Sequence, residues 1–223
     1  MADINPHKRI NDILLGPLER PALRWLAAQM PAWVNPDILT LIGIGGSALI
    51  FSGYVLTNLS AGFLWLASLG FVVNWLGDSL DGTLARHRLI ERPKYGYFVD
   101  HTVDAFSQFL IFSGLGLSPY VNFSVASLGL IGYLMMSVYV YVNTYVTGQF
   151  KISYGKLGPT EMRLFAILIN TFIYFFGSPA LGVGLPGALS LIDLVVLVLA
   201  LLFVVVFGVS TLRRAAELAA AGE

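Results

Sequence analysis

Six stretches of the sequence, 36–57, 61–85, 95–117, 123–147, 160–177 and 187–211, are each apolar for close to the ~20 residues that carry a helix across a bilayer. Nothing else in the chain constrains its fold as strongly. With 57% hydrophobic and 12% charged residues in a chain of 223, no contiguous stretch is left for a second, water-soluble core. The expected fold is all-α, a polytopic membrane protein with six transmembrane helices.

Cationic residues fall on one side of these runs. Lys8, Arg9, Arg20 and Arg24 precede the first, while Arg86, Arg88, Arg92 and Lys94 separate the second from the third. Lys151, Lys156 and Arg163 lie between the fourth and fifth as expected interfacial charges, and Arg213 and Arg214 follow the sixth. The alternate connections, TNLS, SPYVN and GSPALGVGLP, contain neither Lys nor Arg. Positive loops stay in the cytoplasm, so both termini and the two charged loops are expected there, with Arg88, Arg92 and Lys94 as solvated topology signals. Membrane orientation accounts for the positive side, and no nucleic-acid partner is expected.

Ahead of the first run, INDILLGPLERPALRWLAAQM mixes apolar residues with Arg and Glu at helical spacing, interrupted by Pro17 and Pro21. It is expected to lie along the cytoplasmic leaflet as an N-terminal interfacial helix. Residues 1–34 then form a cytoplasmic interfacial segment, and 35–223 a six-helix membrane domain with a short cytoplasmic C-terminal tail. The start lacks the apolar core of a cleavable signal, so the N-terminus is expected to be retained. The absence of cysteine excludes disulfides and thiolate metal sites. Gly43, Gly45, Gly46, Ser47 and Gly53 in the first run predict close helix packing.

Against this background, GDSLDGTLARHRLIERPKYGYFVDHTVD, Gly77 to Asp104, sets four aspartates between apolar runs. Asp78, Asp81, Gly82, Ala85 and Arg86 share one helix face, and Gly96, Asp100 and Asp104 share one face of the next. Eight residues separate Asp78 from Arg86 and Asp104 from Gly96, so each set reaches about 12 Å from the charged loop. Antiparallel packing of these two helices would bring the pairs to the same depth.

Four ionised carboxylates among apolar helices repel one another and lose solvation unless they are compensated. Two divalent cations would balance them, and an all-oxygen set without Cys favours Mg²⁺, Mn²⁺ or Ca²⁺ over Zn²⁺. Gly82 and Gly96 would keep the surface open to a polyphosphate, with Arg86 meeting a phosphate. The rival readings are a cation-handling membrane transporter and acids that merely pair with interfacial Arg and Lys. Transport is disfavoured by the lack of a second polar path toward the other side. Asp193 is isolated near the outer end of the sixth run, and Asn74 and Gln108 are expected to make interhelical hydrogen bonds.

DSLDGTLAR, then nine residues, then GYFVDHTVD, resembles the signature of the CDP-alcohol phosphotransferase family, with all eight fixed positions present. PDILTLIG, Pro36 to Gly43 and including Thr40, resembles a segment that precedes the motif in that family. The resemblance implies transfer of a substituted phosphate from a CDP-linked donor to an alcohol, with release of CMP. By motif position it implies divalent metal, two Mg²⁺ or Mn²⁺, on Asp78, Asp81 and Asp100, with Asp104 as a further ligand or as the base that deprotonates the acceptor. Gly82, Ala85, Arg86 and Thr40 would belong to the nucleotide and pyrophosphate site. It also implies a homodimer and an active site on the cytoplasmic side, where a soluble CDP group meets a lipid arriving sideways.

YVTGQFKISYGKLGPTEMRLF, Tyr145 to Phe165, and the wording VDHTVD resemble the choline/ethanolamine phosphotransferase branch, through His101, Thr160 and Glu161. PDILT instead resembles inositol-phosphate transferases. The reading leans to a CDP-aminoalcohol donor with a diacylglycerol-like acceptor; the alternative is CDP-diacylglycerol with a polar alcohol such as inositol phosphate or glycerol phosphate. The base is either Asp104 or a neutral His101 backed by Glu161, whose carboxylate also suits the first turn of a helix.

Overall fold

The computed structural model describes residues 8–10, 14–151, 158–181 and 189–222. Among them each of the six apolar runs is a helix, preceded by a shorter one. Helix α1, Gly16–Gln29, opens with Pro17 in its first turn and keeps Pro21 inside, so neither proline breaks it. Asn35 caps α2, Pro36–Leu56, by accepting the Ile38 N–H at 2.9 Å, and Pro36 supplies the fixed φ of a first helical residue. A 3-10 turn, Ala61–Phe63, leads into α3, Leu64–His87, and α4 spans Pro93–Gly116.

Helix α5, Phe123–Thr147, ends on Gly148 at φ +67°, a left-handed position that glycine occupies without steric cost. Helices α6, Pro159–Phe176, and α7, Leu191–Ala221, complete the bundle. Five of the six runs end within a few residues of their expected limits. The last helix continues ten residues beyond 211, because TLRRAAELAAA has high helix propensity and nothing in it stops the helix. One addition to the helical body is a short parallel pair, β1 (Lys8–Ile10) with β2 (Gln149–Lys151), too brief to leave a periodic signal.

Among the described residues, four helical segments are long and apolar enough to cross a membrane: Pro36–Leu56, Ala61–His87, Phe123–Thr147 and Leu191–Ala221. Polar residues lower the apolar content of the other two, among them Asp100, His101 and Asp104 in α4 and Glu161, Arg163 and Asn170 in α6.

Side-by-side packing runs in the order α6, α3, α2, α4, α5, α7. Helices α2 and α3 meet almost backbone to backbone. A Cβ on Gly46 would stand 2.3 Å from Asn74 N, and one on Gly77 2.3 Å from Gly43 N. Gly45 is a correction to the expected packing set, since its missing side chain faces open space. At the end remote from the charged loops, Ile50, Tyr54, Phe71, Val125, Ile173 and Val196 close the bundle with one apolar cluster. At the charged end, Leu23 and Ala27 of α1 pack with Val34, Leu39, Leu80 and Leu84. Between these clusters lies a polar layer.

Candidate active site

The acids of the motif project from the charged-end halves of α3 and α4. Both helices pack broadly on α2, with no comparable packing on each other, so the expected direct antiparallel packing is replaced by a cleft floored by α2. The close α2–α3 approach explains this: the small-residue faces of those two helices are used on each other. Asp78, Asp81 and Asp104 are still brought together, since Asp78 interacts electrostatically with both other carboxylates. Asp100, one turn nearer the loop, is more exposed and lies 3.5 Å from His101 Nδ1 through its Oδ2.

Each inner carboxylate is held by a donor from another helix. Thr40 of α2 donates its hydroxyl to Asp81 Oδ2 at 2.8 Å, while the Gly82 N–H donates to Asp81 Oδ1. Tyr133 of α5 donates to Asp104 Oδ2 at 3.0 Å. Arg163 of α6 donates through Nη2 to Asp78 Oδ2 at 2.6 Å and through Nε to Asn74 Oδ1 at 2.8 Å. Such outer contacts fix the direction in which a carboxylate presents its remaining oxygen.

Asn74 makes the expected interhelical bonds, donating to Gly43 O and Ser47 Oγ at 3.0 Å each. Arg163 is a correction: it is buried rather than interfacial. A cation in the second turn of an apolar helix needs an acidic partner, which is the signal that would have found it. Tyr133 had no such signal, being one of four tyrosines in α5.

The expected nucleotide side is open. A Cβ on Gly96 would meet nothing within 4 Å, and one on Gly82 would meet only the guanidinium tip of Arg86, at 3.3 Å from Nη1. Arg86 is exposed and donates to Thr83 Oγ1 at 3.2 Å, one turn back on α3. Ala85 is part-buried on the same face.

His101 lies between two tyrosines, 4.0 Å from the Tyr97 ring centre and 4.7 Å from that of Tyr141. Glu161 is placed elsewhere. Its Oε1 accepts the Leu15 N–H at 2.8 Å and its Oε2 the Gly158 N–H at 2.9 Å. The expected His101–Glu161 pair is therefore corrected: both Glu161 oxygens are engaged by backbone amides, and the carboxylate beside His101 is Asp100.

The neighbouring Thr160 donates to Glu19 Oε1 at 2.8 Å, an oxygen that also accepts Trp75 Nε1–H at 2.8 Å and the Ser79 hydroxyl at 3.3 Å. The Thr-Glu pair thus ties α1 to the start of α6. Of the loop cations, Arg88 is structural rather than solvated, whereas Arg92 is exposed as expected. Arg88 donates to the carbonyls of Val34, Met30 and Pro31. Arg92 pairs with Asp37 and lies 4.0 Å over the Tyr95 ring. Asp193 is buried, accepting Asn122 N–H at 2.6 Å and Ser190 N–H at 2.8 Å. Lys156 and the side chain of Lys151 lie outside the described residues.

The donor set suits a hard divalent cation in kind: it is all oxygen, and the Oδ1 atoms of Asp78 and Asp104 accept no hydrogen bond among the described residues. No three acidic or histidine side chains among the described residues converge on one point as ligands.

Residues 33–209 match the sequence model of a family described as CDP-alcohol phosphatidyltransferase. Among curated relatives, Cholinephosphotransferase 1 of Danio rerio is 29% identical over 178 residues, covering 72% of this chain and 45% of that protein. Phosphatidylinositol phosphate synthase of Cutibacterium acnes is 36% identical over 90 residues, 40% of this chain and 41% of that one. Archaetidylinositol phosphate synthase of Pyrococcus horikoshii is 31% identical over 162 residues, 73% of this chain and 80% of the relative. The chain thus spans less than half the length of the first two.

Proposed function

We propose, from the premise that this chain belongs to the CDP-alcohol phosphatidyltransferase family, that it transfers a substituted phosphate from a CDP-linked donor to an alcohol acceptor in phospholipid headgroup synthesis. The observation that carries this is the folded motif itself: its acids line one cleft from two helices, and its small residues leave the cleft mouth bare.

In the reaction the acceptor oxygen bonds to the phosphorus that carries the transferred group, and the phosphorus–oxygen bond to CMP breaks. Two Mg²⁺ or Mn²⁺ held by Asp78, Asp81 and Asp100 would neutralise the diphosphate and the departing CMP. Arg86 meets a donor phosphate at the mouth, with Thr83 supporting its guanidinium. Gly82, Ala85 and Gly96 admit the nucleotide, and Thr40 acts there by orienting Asp81. Asp104 takes the acceptor proton on Oδ1 while Tyr133 holds Oδ2. His101, beside Asp100, orients that carboxylate.

The preferred substrates are a CDP-aminoalcohol and a diacylglycerol-like acceptor, supported by the Thr160–Glu161 and His101 wording and by the cholinephosphotransferase relative. The second pairing, CDP-diacylglycerol with a polar alcohol such as inositol phosphate, is supported by the archaetidylinositol relative, of which the chain covers 80%. The same reading takes α4 and α6 as membrane spans too, the third and fifth of six, with both chain ends and the cleft in the cytoplasm and the protein a homodimer. Helix α1 lies in the interface, where exposed Leu18 and Trp25 meet lipid beside exposed Arg20 and Arg24.

Purified protein with Mg²⁺ or Mn²⁺ and a matrix of CDP donors and alcohol acceptors tests the function, scored by CMP release and product mass. A donor–acceptor pair yielding stoichiometric CMP and lipid is expected. Cation flux in vesicles with no CMP from any pair would favour the transporter instead.

A further inference from the structure

Two of the four carboxylates, Asp78 and Asp104, share their surroundings with one buried cation. Arg163 is 9% exposed and is the only Lys or Arg among the buried described residues. Its place is fixed by the scaffold. Asn74 spends both amide hydrogens on Gly43 O and Ser47 Oγ across the α2–α3 contact, so its oxygen faces Arg163 Nε, and Nη2 is left for Asp78. The guanidinium also interacts electrostatically with Asp104, on the other side of the cleft.

We infer that Arg163 is a resident cation of this site. It is a positioning residue that holds Asp78 and offsets carboxylate repulsion, so that the bundle stays assembled before any divalent ion is bound. Removing it leaves carboxylates facing one another with no fixed countercharge, a burden that a divalent ion would relieve. A purely structural arginine would have no such link to metal. The inference rests on the carboxylate-site reading above, but its decisive comparison is made without metal or substrate.

Thermal unfolding of the purified full chain in detergent, in EDTA and in saturating Mg²⁺, provides the test for wild type, Arg163→Met, Arg163→Lys and Asp78→Asn/Arg163→Met. In EDTA, Arg163→Met should unfold on the order of 10 °C below wild type, the scale for orphaning one member of a buried pair. Mg²⁺ should close most of that gap. Arg163→Lys, which keeps the charge, should stay within a few degrees of wild type. The double variant should regain at least half of the loss in EDTA, because the orphaned carboxylate is gone.

An equal deficit with and without Mg²⁺, together with a double variant no better than Arg163→Met, would overturn the inference. If Arg163→Met does not fold, a double variant that folds supports the inference, and one that also fails overturns it. A wild type indifferent to Mg²⁺ counts against the metal reading, while the EDTA comparison still decides the role of Arg163.

Discussion

Replacing Gly46 by alanine adds one methyl group where the structure has no room for it. The new Cβ would sit 2.3 Å from Asn74 N, 2.7 Å from its Cα and 2.9 Å from its Cβ. The first two are backbone atoms, so no side-chain rotation relieves the clash. Restoring an ordinary contact of 3.4 Å moves α3 away from α2 by about 1.1 Å, the difference between the two distances. Overpacking of this kind costs about 1–3 kcal/mol.

The displaced residue is also the one that holds Arg163, and Asp78 lies one turn further along the same helix face. A shift near 1 Å at a reacting centre costs up to about 10²-fold in rate. Gly46→Ala should therefore lower both the unfolding temperature in detergent and kcat/KM for CMP release, the latter on the order of 10²-fold. Gly45→Ala is the matched control, since its Cβ meets nothing within 4 Å, and should stay close to wild type in both measurements. Indistinguishable behaviour of the two neighbouring variants would show that the α2–α3 spacing does not set the site.

Asp78→Asn, Asp81→Asn and Asp100→Asn should each reduce CMP release to near background with membrane insertion intact, and EDTA should do the same to wild type until Mg²⁺ or Mn²⁺ is restored; wild-type turnover in any variant, or after metal removal, contradicts the metal role. Asp104→Asn should lose kcat, whereas His101→Ala should retain it largely and Glu161→Gln should mainly lower thermal stability. A strong kcat loss in His101→Ala, with metal and donor binding unchanged, would transfer the base role to His101. Cysteines at Arg88 and Lys151 should be labelled from the cytoplasmic side and one at Asn58 from the other; opposite-side labelling of the first two rejects the six-span arrangement.

The helices were legible because an apolar run near twenty residues has few alternatives, and the boundaries followed local chemistry at Asn35-Pro36, Pro93 and Gly148. The acids were legible because their spacing and the eight-position motif agree. The residues that hold those acids were not. Tyr133 reaches Asp104 across 29 positions and Arg163 reaches Asp78 across 85, and local periodicity carries no information about either. Charge pattern alone also misassigned Arg88, whose partners are backbone carbonyls contributed by the folded α1–α2 connection.

The seat of α1 joins segments made far apart in synthesis. Glu19 gathers Trp75 and Ser79 from α3, partners made early, but its bond from Thr160 spans 141 positions and that of Leu15 to Glu161 spans 146. A nascent chain emerging N-terminus first can rest α1 on α3, yet it cannot fasten it until α6 has left the ribosome. Helix α1, made well before α6, is therefore locked only after it, and the cleft acquires its finished wall when the buried arginine that steadies Asp78 arrives on that same α6.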